Sequence, residues 1–225
     1  MTKTITKSLI SGLIALGLFF GIQFAQLPIF YFLEQNKESA LTSMQSLIAI
    51  GAYLTLIVIT LIIGIYTKVI DLKHKLNWKY LALAIFAGEV AIFAFSLIAV
   101  IIKLIMGDAA VAANQEIAND LMQQVPMVLM VIMLILGAPI VEESIFRGFI
   151  PEMFPEKWQW VGLLIGAVLF GLIHNPTDLG SVIQYVSMGM VFALVRYFGK
   201  RIEYSIILHA IHNALVLATM ISQLK

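Results

Sequence analysis

Residues 126–149 read PMVLMVIMLILGAPIVEESIFRGF, an apolar run that contains two adjacent carboxylates and an arginine near its end. About 20 apolar residues are enough to cross the hydrocarbon core of a bilayer as a helix. In lipid every backbone N–H and C=O must be paired within the chain, which favours helices over open strands. The stretch therefore predicts a membrane-spanning helix that carries Glu142, Glu143 and Arg147.

Six further apolar runs accompany this one, so the sequence predicts an all-α bundle of about seven spanning helices. The predicted spans are Ser8–Phe32, Gln45–Tyr66, Tyr80–Met106, Pro126–Phe149, Trp158–His174, Leu179–Phe198 and Tyr204–Ser222. Residues 1–225 would form a single membrane domain. Three N-terminal helices within 1–106 carry no recognised motif, and the helices within 126–222 carry the polar motifs. The polar connection from Gly107 to Val125 would form a short surface helix.

The composition excludes several classes of protein. Hydrophobic residues make up 61% of the chain and charged residues 12%, which indicates a bilayer as the solvent. The formal net charge is +1 without a basic cluster, so nucleic acid is not an expected partner. The absence of cysteine excludes disulfides, thiolate zinc ligands and a cysteine nucleophile. The expected partners are the lipid bilayer and a peptide or protein substrate at the membrane. The oligomeric state stays open.

The distribution of positive charge predicts an orientation, because lysine and arginine concentrate on the cytoplasmic side of membrane proteins. With a cytoplasmic N-terminus, only three of the 14 Lys and Arg residues lie outside: Lys37, Lys103 and Lys225. The chain is therefore predicted to be a multi-pass membrane protein with its N-terminus in the cytoplasm. Lys103 and Arg196, near helix ends, would extend to the membrane interface.

Ionisable side chains at membrane depth require an explanation, because each costs about 2.5 kcal/mol or more. They concentrate in three strings: EESIFR at 142–147, FGLIH at 170–174 and HAIHN at 209–213. Residues four apart share a helix face, so Glu143 can pair with Arg147. Glu142 lies about 100° further round the helix and stays available as a base.

These strings carry the groups that peptide hydrolysis requires, namely a base for water and donors for an oxyanion. Glu142 with His174 can position and deprotonate water. His209 and Asn213 can donate to the oxyanion from another helix. Each string also has a structural interpretation, as an ion pair that fixes packing or as hydrogen bonds between helices.

The depths of two of these residues do not match if both helices are regular. Measured from a turn near Pro155, Glu142 and His174 differ by about one or two helical turns. An irregular segment around Pro151 and Pro155 would have to absorb the difference.

The three strings resemble the EExxxR, FxxxH and HxxxN motifs of the CAAX protease and bacteriocin-processing membrane family, which includes the Ras-converting CAAX endopeptidase. The resemblance implies an intramembrane endopeptidase that acts near the cytoplasmic membrane face. Glu142 and His174 would activate water, and His209 and Asn213 would form the oxyanion site. Three residues would support them: Glu143, Arg147 and Phe170. The small size is similar to that of bacterial members, which implies a bacterial cell membrane.

The resemblance leaves the cofactor open, because the family has been described both as metalloproteases and as glutamate-dependent proteases. No metal is assigned. A divalent ion such as zinc, if present, would use Glu142, His174 and His209 and leave a position for water. His212, outside the motifs, would hydrogen-bond a neighbouring helix or act as a further ligand.

Other polar or small residues inside the helices have local interpretations. Glu89 lies midway along the third helix and is either a second functional group or a satisfied polar contact. Gly162 and Gly166 form a small-xxx-small pair that predicts close helix contact.

Two functions other than proteolysis fit the same residues. One is a non-catalytic bacteriocin-immunity or regulatory membrane protein that works by binding. The other is a transporter, which the lack of an internal repeat disfavours.

Overall fold

A computed structural model describes residues 2–37, 39–107 and 113–223, which are helical apart from short connections. The helices in this part of the chain are α1 (Thr2–Gln35), α2 (Ser43–Tyr66), α3 (Trp78–Met106), α4 (Ala113–Gln124), α5 (Met127–Glu152), α6 (Glu156–Ile173), α7 (Leu179–Gly199) and α8 (Ile202–Gln223). Seven of them, all except α4, are long and apolar enough to cross a membrane. The predicted all-α bundle of seven spanning helices is therefore confirmed. Lys225, which contributes to the predicted orientation, lies outside the described residues.

Local signals in the sequence set the ends of these helices. Thr42 and Gln45 form a reciprocal capping box that begins α2. The Asn77 side chain accepts from two backbone amides at the start of α3. α3 ends at Gly107, whose φ of 73° is the left-handed conformation that glycine adopts most readily. Each cap satisfies backbone groups that a helix end would otherwise leave unpaired.

The connection between α3 and α5 contains the short helix that its polarity predicts. Leu121 and Met122 of α4 are buried, whereas its polar residues are mostly at the surface. The carbonyl oxygen of Gln124 accepts a hydrogen bond of 2.9 Å from the Leu41 amide, in the connection between α1 and α2. α4 therefore lies at the end of the bundle that also carries the α1–α2 connection.

α5 and α8 occupy the centre of the bundle. α5 packs against α1, α2, α6 and α8, while α8 also contacts α3 and α7. Glycines allow the closest approach of α6 to α5: a Cβ at Gly162 would lie 2.6 Å from the Cα of Pro151, and one at Gly166 would overlap the carbonyl oxygen of Phe146. The prediction of close helix contact at this glycine pair is confirmed.

α5 departs from a regular α-helix in two places. Residues Ile132–Gly137 and Ser144–Phe149 form π-helical turns, in which an amide bonds a carbonyl five residues back, as Ala138 does to Met133. Each π turn holds an extra residue and rotates the next part of the helix relative to a plain α-helix. Nothing in the amino-acid pattern predicted them, and they flank Glu142 on both sides.

Lys103, which was predicted to extend to the membrane interface, forms an ion pair at the end of α3. Its ammonium lies 3.1 Å from the carboxylate of Asp178, and its side chain is only 11% exposed. Asp178 caps α7 by accepting a 2.9 Å hydrogen bond from the Ser181 amide. Burial by itself would raise the pKa of Asp178, but the hydrogen bonds from Ser181 and the charge of Lys103 lower it to about 2. The ion pair between Lys103 and Asp178 therefore links the end of α3 to the start of α7.

A second polar contact lies at the opposite end of the bundle. The Arg201 guanidinium donates to the backbone carbonyls of His74, at 2.7 Å, and of Asp71. It also pairs with Glu203 at 3.2 Å. These bonds hold the α2–α3 connection against the start of α8.

Candidate active site

Three charged or polar side chains form a buried ion cluster between α5 and α8: Glu143, Arg147 and His209. Arg147 and Glu143 have no exposed side-chain surface, and the guanidinium Nη1 lies 3.0 Å from Glu143 Oε1. His209 Nδ1 lies 3.1 Å from the same oxygen. Arg147 also donates to the carbonyl oxygen of Gly189 on α7 at 2.7 Å. The ion pair expected from the spacing of Glu143 and Arg147 is therefore present.

Phe170 is the apolar centre against which this cluster packs. It is fully buried, and the Arg147 Cζ lies 4.5 Å from its ring centroid. Such a contact stabilises a cation that has lost its water. The rings of His174 and His209 lie 4.6 Å and 5.7 Å from the same ring. One phenylalanine thus contacts residues from all three motif strings.

A cavity of about 200 Å³ lies beside the cluster and is large enough for several water molecules. Six polar or aromatic residues of the three motif strings line it: Glu142, Phe170, His174, His209, His212 and Asn213. The structure therefore brings the four predicted site residues, Glu142, His174, His209 and Asn213, to one cavity. Glu143 and Arg147 lie behind it.

Unlike its sequence neighbour Glu143, which is fully buried behind the cavity, Glu142 lines the cavity. Its Oε2 atom is buried, and within residues 2–37, 39–107 and 113–223 it has no hydrogen-bond partner. Together with His174 it also lines an adjoining groove of about 550 Å³ that contains Gln23 and Gln26 of α1. A buried carboxylate oxygen without a partner is costly, and the side chain that carries it borders space that a water or a substrate group can fill.

His174 directly follows α6, and its hydrogen bond fixes its tautomer. Its Nδ1 lies 2.7 Å from the carbonyl oxygen of Phe170. A carbonyl can only accept, so Nδ1 carries the proton, and in the neutral ring Nε2 is an acceptor. The ring stacks on Tyr185 at 4.6 Å, which holds its plane.

The depth mismatch expected between Glu142 and His174 does not keep them apart, since both line the same cavity. The π turns of α5 alter the rise and rotation of that helix. A short connection at residues 153–155 separates α5 from α6, which begins with a 3-10 turn at Glu156–Trp158. The connection lies where an irregular segment was expected, whereas the π turns lie where a regular helix was assumed.

Asn213 is held by one of the π turns. Its amide Nδ2 donates to the carbonyl oxygen of Leu134 at 2.8 Å, which leaves one N–H of the amide for another acceptor. Leu134 lies in the first π-helical segment, where the altered bonding pattern leaves carbonyls available to side chains. The irregular turn therefore positions a residue of the opposite helix.

His212 forms a second histidine–carboxylate pair on α8. Its Nδ1 lies 3.1 Å from Glu89 Oε2 on α3, and the two side chains are 14% and 23% exposed. The predicted contact of His212 with a neighbouring helix is confirmed, and Glu89 has the partner that the sequence did not reveal. Gly88 allows the approach, because a Cβ there would lie 2.5 Å from the Leu208 side chain.

The three residues named as zinc ligands in the event that a metal is present, Glu142, His174 and His209, are not grouped as a metal site in the structure. In the described part of the chain, no three His, Asp or Glu side chains are grouped closely enough to hold a metal ion. His209 directs its Nδ1 to Glu143, and His174 directs its Nδ1 to a backbone carbonyl. The set of Glu142, His174 and His209 therefore surrounds a cavity without converging on one point.

The motif residues that line this cavity lie in a segment that matches a known protein family. Residues 124–215 match the family model of the type II CAAX prenyl endopeptidase Rce1-like proteins. The matched segment contains all three motif strings. Over this Rce1-like segment the chain is similar to that family. The Rce1-like segment covers α5 to α8, the helices that supply Glu142, His174, His209 and Asn213.

Three bacterial proteins extend this relationship. UPF0177 protein YvdC of Lactococcus lactis is 30% identical over 54% of this chain and 46% of its own length. The putative membrane peptidase YdiL of Bacillus subtilis is 31% identical over 60% of this chain and 54% of its own. The membrane-embedded CAAX protease MroQ of Staphylococcus aureus is 24% identical over 85% of this chain and 78% of its own. The chain thus spans about half the length of the first two relatives.

No solved structure matches the chain. The Rce1-like segment and the seven apolar helices together identify an integral, multi-pass membrane protein related to membrane proteases.

Proposed function

We propose that the protein is an intramembrane endopeptidase in which Glu142 and His174 activate a water molecule that attacks a peptide bond. One observation carries the proposal. Glu142 lines the cavity that His174, His209 and Asn213 also line, and its buried Oε2 atom has no partner among the described residues. Adjacent Glu143 is engaged by Arg147 and His209 and so is unavailable as a base.

Water activation follows from the acceptors on one wall of the cavity. The Glu142 carboxylate and Nε2 of neutral His174 accept the two hydrogens of a water between them. Glu142 takes one proton as the water oxygen attacks the substrate carbonyl carbon. The packing of His174 against Phe170 and Tyr185 orients the ring, which lowers the entropic cost of reaching the transition state.

Oxyanion stabilisation comes from the opposite wall. Asn213 has one amide N–H left after its bond to Leu134, and it donates that hydrogen to the developing oxyanion. His209 donates from Nε2, which requires the ring to hold both protons because Nδ1–H is directed to Glu143. With that ring charged, two positive groups, Arg147 and His209, balance the carboxylates of Glu142 and Glu143. The oxyanion then replaces the charge that Glu142 loses on protonation.

The proposal is tested by comparing peptide termini in membranes that express the wild type or variants at equal levels. New termini are expected with the wild type and are expected to be lost in Glu142→Gln and His174→Gln. Glu156→Gln and His74→Gln serve as matched controls because both side chains are exposed and distant from the cavity in sequence. Both controls should cleave like the wild type.

Cleavage that persists in Glu142→Gln would refute the proposed base. A biological phenotype that survives both substitutions, without new termini in the wild type, would instead favour the binding role of an immunity or regulatory protein. Loss of cleavage on chelation, restored by zinc, would return the metal-dependent alternative to consideration.

A further inference from the structure

The cavity lies towards one end of the helix bundle. Three of its lining residues identify that end: Gln115 on α4, His174 just beyond α6, and Gln184 near the start of α7. The connections α1–α2, α3–α5 and α6–α7 meet there, and we call it the cavity end. Glu142 and His209 lie deeper, so the cavity runs from mid-bundle towards the cavity end.

The positive charges lie at the opposite end, where α2 meets α3, α5 meets α6 and α7 meets α8. We call it the basic end. Its connections and adjoining helix ends carry eight basic residues: Lys68, Lys73, Lys75, Lys79, Lys157, Arg196, Lys200 and Arg201. Lys7 belongs there too, because it pairs with Glu152 at the end of α5. At the cavity end the described basic residues are Lys37 and Lys103, and the Lys103 ammonium pairs with Asp178.

The sequence led to two predictions, a cytoplasmic N-terminus and a site near the cytoplasmic membrane face. The distribution of basic residues is compatible with only one of them. Short connections rich in lysine and arginine remain in the cytoplasm, which places the basic end inside. A cytoplasmic N-terminus satisfies that rule, but the cavity end is then outside. A cytoplasmic N-terminus and a site near the cytoplasmic face are therefore incompatible in this fold.

We propose that the cavity opens to the extracytoplasmic side and that its substrate is a peptide segment that has crossed the membrane. The nature of the substrate rests on the proposed endopeptidase function, whereas the side of the opening does not. A substrate confined to the cytoplasmic surface would have to cross the layer of basic connections to reach Glu142.

The lining of the cavity fits a peptide backbone. Uncharged amides lie around it towards the cavity end: Gln26, Gln115, Gln184 and Asn213. An amide side chain both donates and accepts, which is the pattern that backbone N–H and C=O groups require. The groove beside it is lined by Phe19, Ile145 and Ile173 along with Gln23 and Gln26, and would receive apolar side chains of the same segment.

The side of the opening is tested by thiol labelling, since the natural chain contains no cysteine. Thr177→Cys places one thiol at an exposed position of the cavity end, and Lys73→Cys places one at an exposed position of the basic end. In intact spheroplasts, a membrane-impermeant maleimide is expected to label Thr177→Cys at least tenfold faster than Lys73→Cys. Permeabilisation should make the two equal. The reverse order in intact spheroplasts would overturn the proposal.

Substrate access is tested separately with sealed vesicles and a water-soluble peptide that spans the cleavage site found from the termini. Right-side-out vesicles are expected to cleave added peptide at least tenfold faster than inside-out vesicles, with Glu142→Gln as the inactive control. Faster cleavage by inside-out vesicles would overturn the proposal. If labelling places the cavity end outside but no vesicle cleaves in a Glu142-dependent way, the endopeptidase function fails and the assignment of the opening stands.

Discussion

Two histidine–carboxylate pairs on α8, one turn apart, have the same contact distance and different surroundings. Glu143–His209 and Glu89–His212 are each joined at 3.1 Å. The first pair is closed: its side chains are at most 3% exposed, and Arg147 supplies a compensating charge. The second is open: its side chains are 14% and 23% exposed.

The two pairs on α8 should therefore differ in how strongly a substitution destabilises the protein. A fully buried ion pair is costly to disturb, because removing one member leaves the other charge unpaired. A partly wet pair between membrane helices contributes less, since water and other groups can replace a lost partner. We therefore expect the closed pair to behave as part of the framework and the open pair to be tolerant of change.

Replacing Arg147 should lower the free energy of unfolding more than any change to the open pair. Arg147→Met leaves Glu143 buried without its cation and should lower the free energy of unfolding by about 3–5 kcal/mol. Unfolding in mixed detergent–SDS micelles measures this, with the exposed Lys73→Met as the control. A loss below about 1 kcal/mol, the range of exposed pairs, would show that the cluster is not a rigid unit.

Glycine substitutions at the two helix contacts should give the next largest difference. Gly166→Ala pushes a methyl group into the Phe146 carbonyl, and a backbone atom cannot move aside, so we expect a loss of about 1–3 kcal/mol. Gly88→Ala, behind the open pair, meets only the ends of the Leu208 side chain and should cost less. Equal unfolding free energies for the two variants would contradict the distinction.

Neutralising the open pair should have the smallest effect. Glu89→Gln keeps a hydrogen-bond acceptor for His212 and should change the unfolding free energy by about 0.6 kcal/mol, the average for hydrogen bonds between membrane helices. A double-mutant cycle of Glu89→Gln with His212→Gln isolates the coupling between the two residues. Coupling as strong as that of the closed cluster would remove the difference between the pairs.

The fold was predictable because hydropathy alone determines where a chain can cross a membrane. The spans expected from the apolar runs agree with α1–α3 and α5–α8 to within a few residues at most ends. The pairing of Glu143 with Arg147 followed from residues four apart on one helix. These are local properties, fixed within one or two helical turns of sequence.

The contacts between distant helices were not predictable in the same way. Glu89 and His212 are 123 positions apart, and Lys103 of α3 pairs with Asp178 in the distant α6–α7 connection, so no local spacing signals either pair. The catalytic roles of Glu142, His174, His209 and Asn213 stay predictions, although these side chains do share one cavity.

The π-helical turns of α5 make the candidate site sensitive to chain length as well as to chemistry. Ordinary α-helical bonding over Ile132–Gly137 without the loss of a residue would turn Glu142 by about 100° relative to the start of α5, because the π turn holds one residue more than an α turn. Every functional group would still be encoded, yet the carboxylate would face another helix. Two homologues that share each motif letter can therefore differ in activity if one of them has a residue more or fewer upstream without the matching change between π-helical and α-helical bonding, so the number of residues before the motif is itself an inherited part of the site.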